Sequence, residues 1–81
     1  MGRTLATTTQ LILAEQAAFA SFRRTLRLED QHLFDTLFAQ ARQHTAAISM
    51  ANHALPFEAI LLAMLLEQAR EIEKLKRQSD G

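Results

Sequence analysis

Between Ile60 and Leu66 the chain carries no polar side chain: Ile60-Leu61-Leu62-Ala63-Met64-Leu65-Leu66. The run sits inside a longer helical pattern from Pro56 to Leu75. A helix that is apolar nearly all round for two turns must be covered on more than one side. At about 100° per residue the pattern resolves into two apolar faces. Phe57, Leu61, Met64, Leu65, Ile72 and Leu75 share one, with Gln68 as its polar intruder. Leu62, Leu66 and Ala69 form a second ridge about 100° away. The first face is expected to pack on a neighbouring helix, and the ridge on another. From Glu67 onward charge dominates. Glu71–Lys74 and Glu73–Arg77 stand at i,i+3 and i,i+4 in the favourable order, so the distal turns read as a solvated helix that still shows Ile72 and Leu75 to a partner.

The rest of the chain supplies the cover. Met1 to Ala6 reads as a frayed arm, and Thr7 with Gln10 fits a capping box. A first helix follows from about Thr8 to Thr25, its buried face marked by Leu11, Ala18, Phe19, Phe22 and Leu26, with Glu15 among them. Glu29 and Asp30 look like the acidic first turn of a new helix. No glycine or proline separates the two, so one long bent helix is the alternative. The polar run Glu29-Asp30-Gln31-His32 favours a break at Leu26–Leu28. The second helix then spans Leu28 to Ala51. Leu33, Leu37, Ala41 and Ile48 face one way, with Phe34, Phe38 and Thr45 beside them, and Ala46, Ala47 and Ala51 permit close approach. Asn52 suits a left-handed C′ position, Pro56 suits N1 of the last helix, and Glu58 at N3 suits the positive helix end. Asn52 to Leu55 is therefore a tight turn, and helices two and three form an antiparallel αα-hairpin. Residues 79–81 read as a disordered arm.

Length then decides what must be added. A chain of 81 residues buries only about 60–65% of its unfolded surface. It has no cysteine, so neither disulfides nor thiolate metal sites reinforce it, and oligomerisation is the usual remaining device. Apolar residues make up 48% of the chain and charged residues 22%, a ratio that favours a core shared between copies. A formal net charge of zero gives no global field toward nucleic acid or an anionic membrane. Leu11-Ile12-Leu13-Ala14 is too short for the ~7–15-residue apolar region of a secretory signal, although Ala18-Phe19-Ala20 has the look of a cleavage site. No run approaches the ~18–20 apolar residues of a membrane span. The expectation is a cytoplasmic protein without membrane contact.

Candidate chemistry is sparse. Arg23, Arg24 and Arg27 cluster at the end of helix one, and Arg42 lies on helix two. They could contact phosphates, but cations near a helix C-terminus also complement the macrodipole, and aromatic interleaving is missing. The macrodipole reading is preferred. Glu29 and His32 have the Glu-x-x-His spacing of di-iron bundles, without the second pair and the further carboxylates such a site needs; in the matching place Glu67 is followed by Arg70. His44 stands at the edge of the buried face and reads as a packed, hydrogen-bonded residue. His53 falls in the turn. Three histidines without cysteines or paired carboxylates make no zinc set, and no phosphate loop or nucleophile–base–orienter set is visible. The pattern predicts no cofactor, no metal and no enzyme.

Several strings occur together: Met1-Gly2-Arg3-Thr4, Phe22-Arg23-Arg24-Thr25-Leu26-Arg27, Glu29-Asp30-Gln31, Phe34-Asp35-Thr36-Leu37-Phe38, Ala41-Arg42-Gln43-His44, Pro56-Phe57-Glu58, Met64-Leu65-Leu66-Glu67 and Glu71-Ile72-Glu73-Lys74-Leu75. In that combination the chain resembles a family of small uncharacterised helical proteins from bacteria and archaea. The likeness covers most of the chain. It departs after Thr4, where the family pattern has a proline near Ala6 and an arginine near Thr9. The resemblance implies a natural prokaryotic protein and carries over no functional residue.

The resulting expectation is an all-α protein in a single domain over residues 1–81: an N-terminal helix, then an antiparallel αα-hairpin, three helices that complete their core as a homodimeric bundle. Leu62, Leu66 and Ala69, with Phe34 and Phe38, are the candidate self-association residues. The function class is a self-associating interaction module. The alternative is a nucleic-acid-associated accessory protein using Arg23, Arg24, Arg27 and Arg42.

Overall fold

The computed structural model describes residues 3–51 and 56–80, with side chains for residues 8–50 and 57–80. The elements in chain order are α1 (Arg3–Ala18), α2 (Ala20–Arg24), α3 (Leu28–Ala41), a 3₁₀ turn (Arg42–His44), α4 (Thr45–Ala51) and α5 (Pro56–Asp80). The described residues contain no strand. The expected turn at Asn52–Leu55, with Asn52 at C′ and His53 within it, lies outside the described residues, as does Gly81.

Each of the three expected helices is present, and two are subdivided. Helix one begins at Arg3, earlier than the expected start near Thr8, and Thr7 lies inside it. It is interrupted at Phe19, where ψ is 21° against about −42° in a regular helix. The helix then stops before α3 at the expected place, without glycine or proline. The Thr25 hydroxyl donates to the Phe22 carbonyl at 2.7 Å, the Gln31 amide donates to the Leu26 carbonyl at 3.1 Å, and Arg27 is extended at ψ 155°. Side chains thus take up backbone acceptors that a continuing helix would have used. Glu29 and Asp30 occupy the first turn of α3, where they complement the helix dipole. The second arm tightens into a 3₁₀ turn at Arg42–His44 while Ala41, Arg42 and Thr45 keep right-handed helical dihedrals. Pro56 is the first residue of α5 and Glu58 lies in its first turn. The last helix reaches Asp80, beyond the Ser79 at which the sequence suggested an arm.

The core is small. Ile12, Phe38, Ala41, Ile48, Ile60, Ala63 and Met64 form one buried cluster, with Phe34, Leu37 and Ala59 packed against it. α1 contributes Thr8 and Ile12, one turn apart and both fully buried. Of the face expected from Leu11, Ala18, Phe19, Phe22 and Leu26, Ala18 and Phe22 are exposed, while Leu11, Phe19 and Leu26 are half-buried. On helix two Ala41, Ile48 and Phe38 are inside, but Leu33 is exposed. Ala41 and Ala63 are small enough to bring the helices close, which lets a core this short in large side chains pack.

All five phenylalanines of the chain join in one run of ring contacts. Phe57 stacks on Phe19 at 5.3 Å, Phe19 meets Phe22 edge-on at 6.3 Å, Phe22 meets Phe34 at 6.1 Å, and Phe34 meets Phe38 at 5.1 Å. These separations lie in the favourable range for aromatic pairs. The run ties all three arms together, and Phe22 forms the lid over Phe34. Beside it, the Arg23 guanidinium holds Asp35 through two hydrogen bonds of 2.8 Å, clamping α2 to α3. α5 packs back on α3 and α4.

Candidate functional site

α5 turns a different face inward from the one its large residues suggest. Ile60, Ala63, Met64 and Glu67 are buried, at the i, i+3, i+4, i+7 spacing of one helix face. The expected main stripe is therefore turned aside by roughly 100°, leaving Leu61, Leu65, Ile72 and Leu75 exposed together with the ridge Leu62, Leu66 and Ala69. Of this stripe only Met64 is fully inside, with Phe57 half-buried. Leu62 is 67% exposed, Leu65 64%, Leu66 52% and Ile72 56%. From Ala69 to Asp80 every side chain is exposed, so the distal half of α5 stands clear of the body.

Of the candidate seam residues, Leu62, Leu66 and Ala69 lie on this outer surface. Phe34 and Phe38 do not join them. Phe38 is 4% exposed and belongs to the chain's own core, and Phe34 is half-buried under Phe22. The reason is that Phe22 of α2 lies against Phe34, while Phe38 packs into the buried cluster.

Next to the outer face, a groove of about 500 Å³ runs between α4 and α5, lined by His44, Ala47, Ile48, Ala59, Leu62, Ala63, Leu65 and Leu66. Alanines make its floor, because Ala47, Ala59 and Ala63 leave space that larger residues would fill. His44 is its polar element. Its Nε2 lies 2.5 Å from Glu67 Oε2. An ionised carboxylate can only accept, so Nε2 carries the proton and donates. The His44 hydrogen bond, helped by Arg70 at 3.8 Å, holds the Glu67 carboxyl below its ordinary range against the opposing effect of burial. Beside Glu67 on α5, the Gln68 amide donates to the Gln40 side-chain oxygen at 2.9 Å. Sequence reading missed Glu67, since it looked like the start of the charged tail. Its signal was position: it continues the Ile60–Ala63–Met64 face.

Two of the clustered arginines are paired with carboxylates. Arg23 is bound to Asp35, whose carboxyl is held below its usual range chiefly by that hydrogen bond. Arg27 lies 3.5 Å from Asp30, and Arg24 donates to the Ser21 hydroxyl. Arg42 reaches Gln16 at 3.5 Å, on a different part of the molecule. Glu29 and His32 are exposed. Among the described residues, no group of three or more histidine, cysteine, aspartate or glutamate side chains is placed to hold a metal ion. No described helix is long and apolar enough to cross a membrane. On α5 the Glu71–Lys74 pair forms at 3.7 Å; Glu73–Arg77 is not among the ion pairs of the described residues.

Comparison with known families matches residues 1–80 to the domain of unknown function DUF8156. The chain belongs to the DUF8156 family. The match spans nearly the whole chain, as the resemblance in the sequence implied, and the family is an uncharacterised one. No curated protein and no solved structure matches this DUF8156 chain.

Proposed function

We propose that this DUF8156 protein is a self-associating interaction module, a cytoplasmic homodimer that acts by binding and not by catalysis. The observation that carries the reading is the exposed apolar face of α5, formed by Leu61, Leu62, Leu65, Leu66, Ile72 and Leu75. Area supports it. A compact monomer of 9.1 kDa exposes about 4,900 Å², whereas this chain exposes 6063 Å². The excess is larger than the ~800 Å² that each partner contributes to a standard interface. The radius of gyration of 14.4 Å likewise exceeds the ~12 Å of a compact chain this long. The contacts between the second arm and α5 descend along α5, Gln40 to Gln68 and then His44 to Glu67. That order supports an antiparallel hairpin, which a second copy would complete into a helical bundle.

The test is light-scattering mass at micromolar concentration, with helicity followed by circular dichroism. Wild type is expected at twice the 9.1 kDa chain mass. Leu66→Glu is expected at the single-chain mass with its helicity retained, because Leu66 lies outside the chain's own core. A well-folded wild-type monomer overturns the reading. The nucleic-acid alternative is weakened by the pairing of Arg23 with Asp35 and Arg27 with Asp30. No retention on a nucleic-acid column at low salt, where phosphate contacts are strongest, would remove it.

A further inference from the structure

The outer face of α5 has an order that selects how two copies meet. Along its centre lie Glu58, Leu62, Leu65, Ala69, Ile72 and Lys76, all exposed. Their spacing is four, three, four, three, four, a heptad a/d seam. Read backwards it is the same spacing, so a two-fold axis at the level of Glu67 lays the seam on itself. Glu58 and Lys76 close its two ends, five turns and about 27 Å apart, on the same side of the helix. Among the described residues neither makes an ion pair.

We propose that two copies pair through α5 in antiparallel order, with Glu58 of each opposite Lys76 of the partner subunit. The proposal rests on the self-association reading and adds to it the orientation and the register. Two independent complementarities support it. In antiparallel order each end of the seam brings together one carboxylate and one ammonium. In parallel order the ends would bring Glu58 against Glu58 and Lys76 against Lys76, and like charges placed opposite one another are the usual device that excludes an arrangement. Size points the same way. The antiparallel register sets Leu65 against Ala69 and Leu62 against Ile72, so each small residue meets a large one. The parallel register would set Ala69 against Ala69 and leave a gap where close packing is required. The opposite face of α5, with Ile60, Ala63, Met64 and Glu67, stays in the core of its own chain, so pairing needs no refolding.

The absence of native cysteine allows a direct test. Glu58→Cys and Lys76→Cys variants are mixed and oxidised, and the products are separated by mass. The expected product is the mixed 58–76 disulfide. Homodisulfides alone, from chains that are dimeric by light scattering, overturn the antiparallel order and leave self-association standing; monomeric wild type overturns both. Charge reversal gives a second arm. Glu58→Lys and Lys76→Glu should each weaken dimerisation about ten-fold, from two exposed pairs turned repulsive, and the double reversal should restore it. A double variant no tighter than the singles overturns the pairing.

Discussion

His44 and Glu67, 23 residues apart in the chain, share a hydrogen bond at 2.5 Å that joins the 3₁₀ turn of the second arm to the buried face of α5. The carboxylate sits where the Ile60–Ala63–Met64 face would otherwise continue with an apolar residue. A buried acceptor is costly when its donor is removed. His44→Ala is therefore expected to lower the urea midpoint, and Glu67→Gln to lower it less. The two substitutions should be strongly non-additive, as for residues in direct contact. Additive midpoint shifts in the double variant would show that the pair contributes nothing to stability.

Acid should act through the same residue. Both Glu67 and Asp35 have folded-state pKa values below their ordinary ones. Such groups favour the folded state fully above the unfolded carboxylate range, about pH 4. The contribution is lost as pH falls through the lower folded value. The melting temperature should be level above about pH 5 and fall steeply below pH 4. Glu67→Gln and Asp35→Asn should each flatten that fall. A melting curve whose acid limb is the same in wild type and both variants would contradict this account.

The inward face of α5 gives a sharper contrast. Ile60 is fully buried while Leu33 is exposed. Ile60→Ala should cost about 2–5 kcal/mol, the usual range for emptying a core site. Leu33→Ala should stay within about 0.5 kcal/mol, as surface changes do. Chemical denaturation at one protein concentration distinguishes them, and equal losses would show that the core has been placed on the wrong face.

That contrast also shows which parts of the fold can be read from sequence. Local chemistry was legible: the polar run after Leu28 marked the break that Thr25 and Gln31 complete, and Pro56 marked the start of α5. Rotational phase was not. A helix apolar all round carries no internal signal for which side faces its own chain. In α5 the decision falls to Ala63, whose small size permits close approach, and to Glu67, whose charge disguised it as surface. The same holds in helix one, where Thr8 and Ile12 are inside and the more conspicuous Phe22 is exposed. Leu62, Leu66 and Ala69 lie exposed on α5, where the proposed seam would run. Phe38 lies in the chain's own core, a placement hidden in the sequence because no local pattern reveals that aromatic rings from three arms meet in one run.

The distal half of α5 supplies the last prediction. Every side chain from residue 69 to 80 is exposed. Isolated helices shorter than about 12–15 residues are marginal in water, and the Glu71–Lys74 pair at 3.7 Å adds only the few tenths of a kcal/mol typical of such pairs. In a monomer these turns should open on their own, with little amide protection, while the amides around Ile60 to Met64 exchange only on global unfolding. In the dimer, Ala69 and Ile72 would lie under Leu65 and Leu62 of the second copy, and their turns should become protected. Hydrogen exchange followed across a dilution series should thus show protection of residues 70–77 that grows with protein concentration, against protection near Ile60 that grows less. Leu66→Glu should abolish the concentration dependence in the distal segment. Protection of residues 70–77 that is already high in dilute monomer would show that the helix holds itself, and would remove the need for a second copy to cover it.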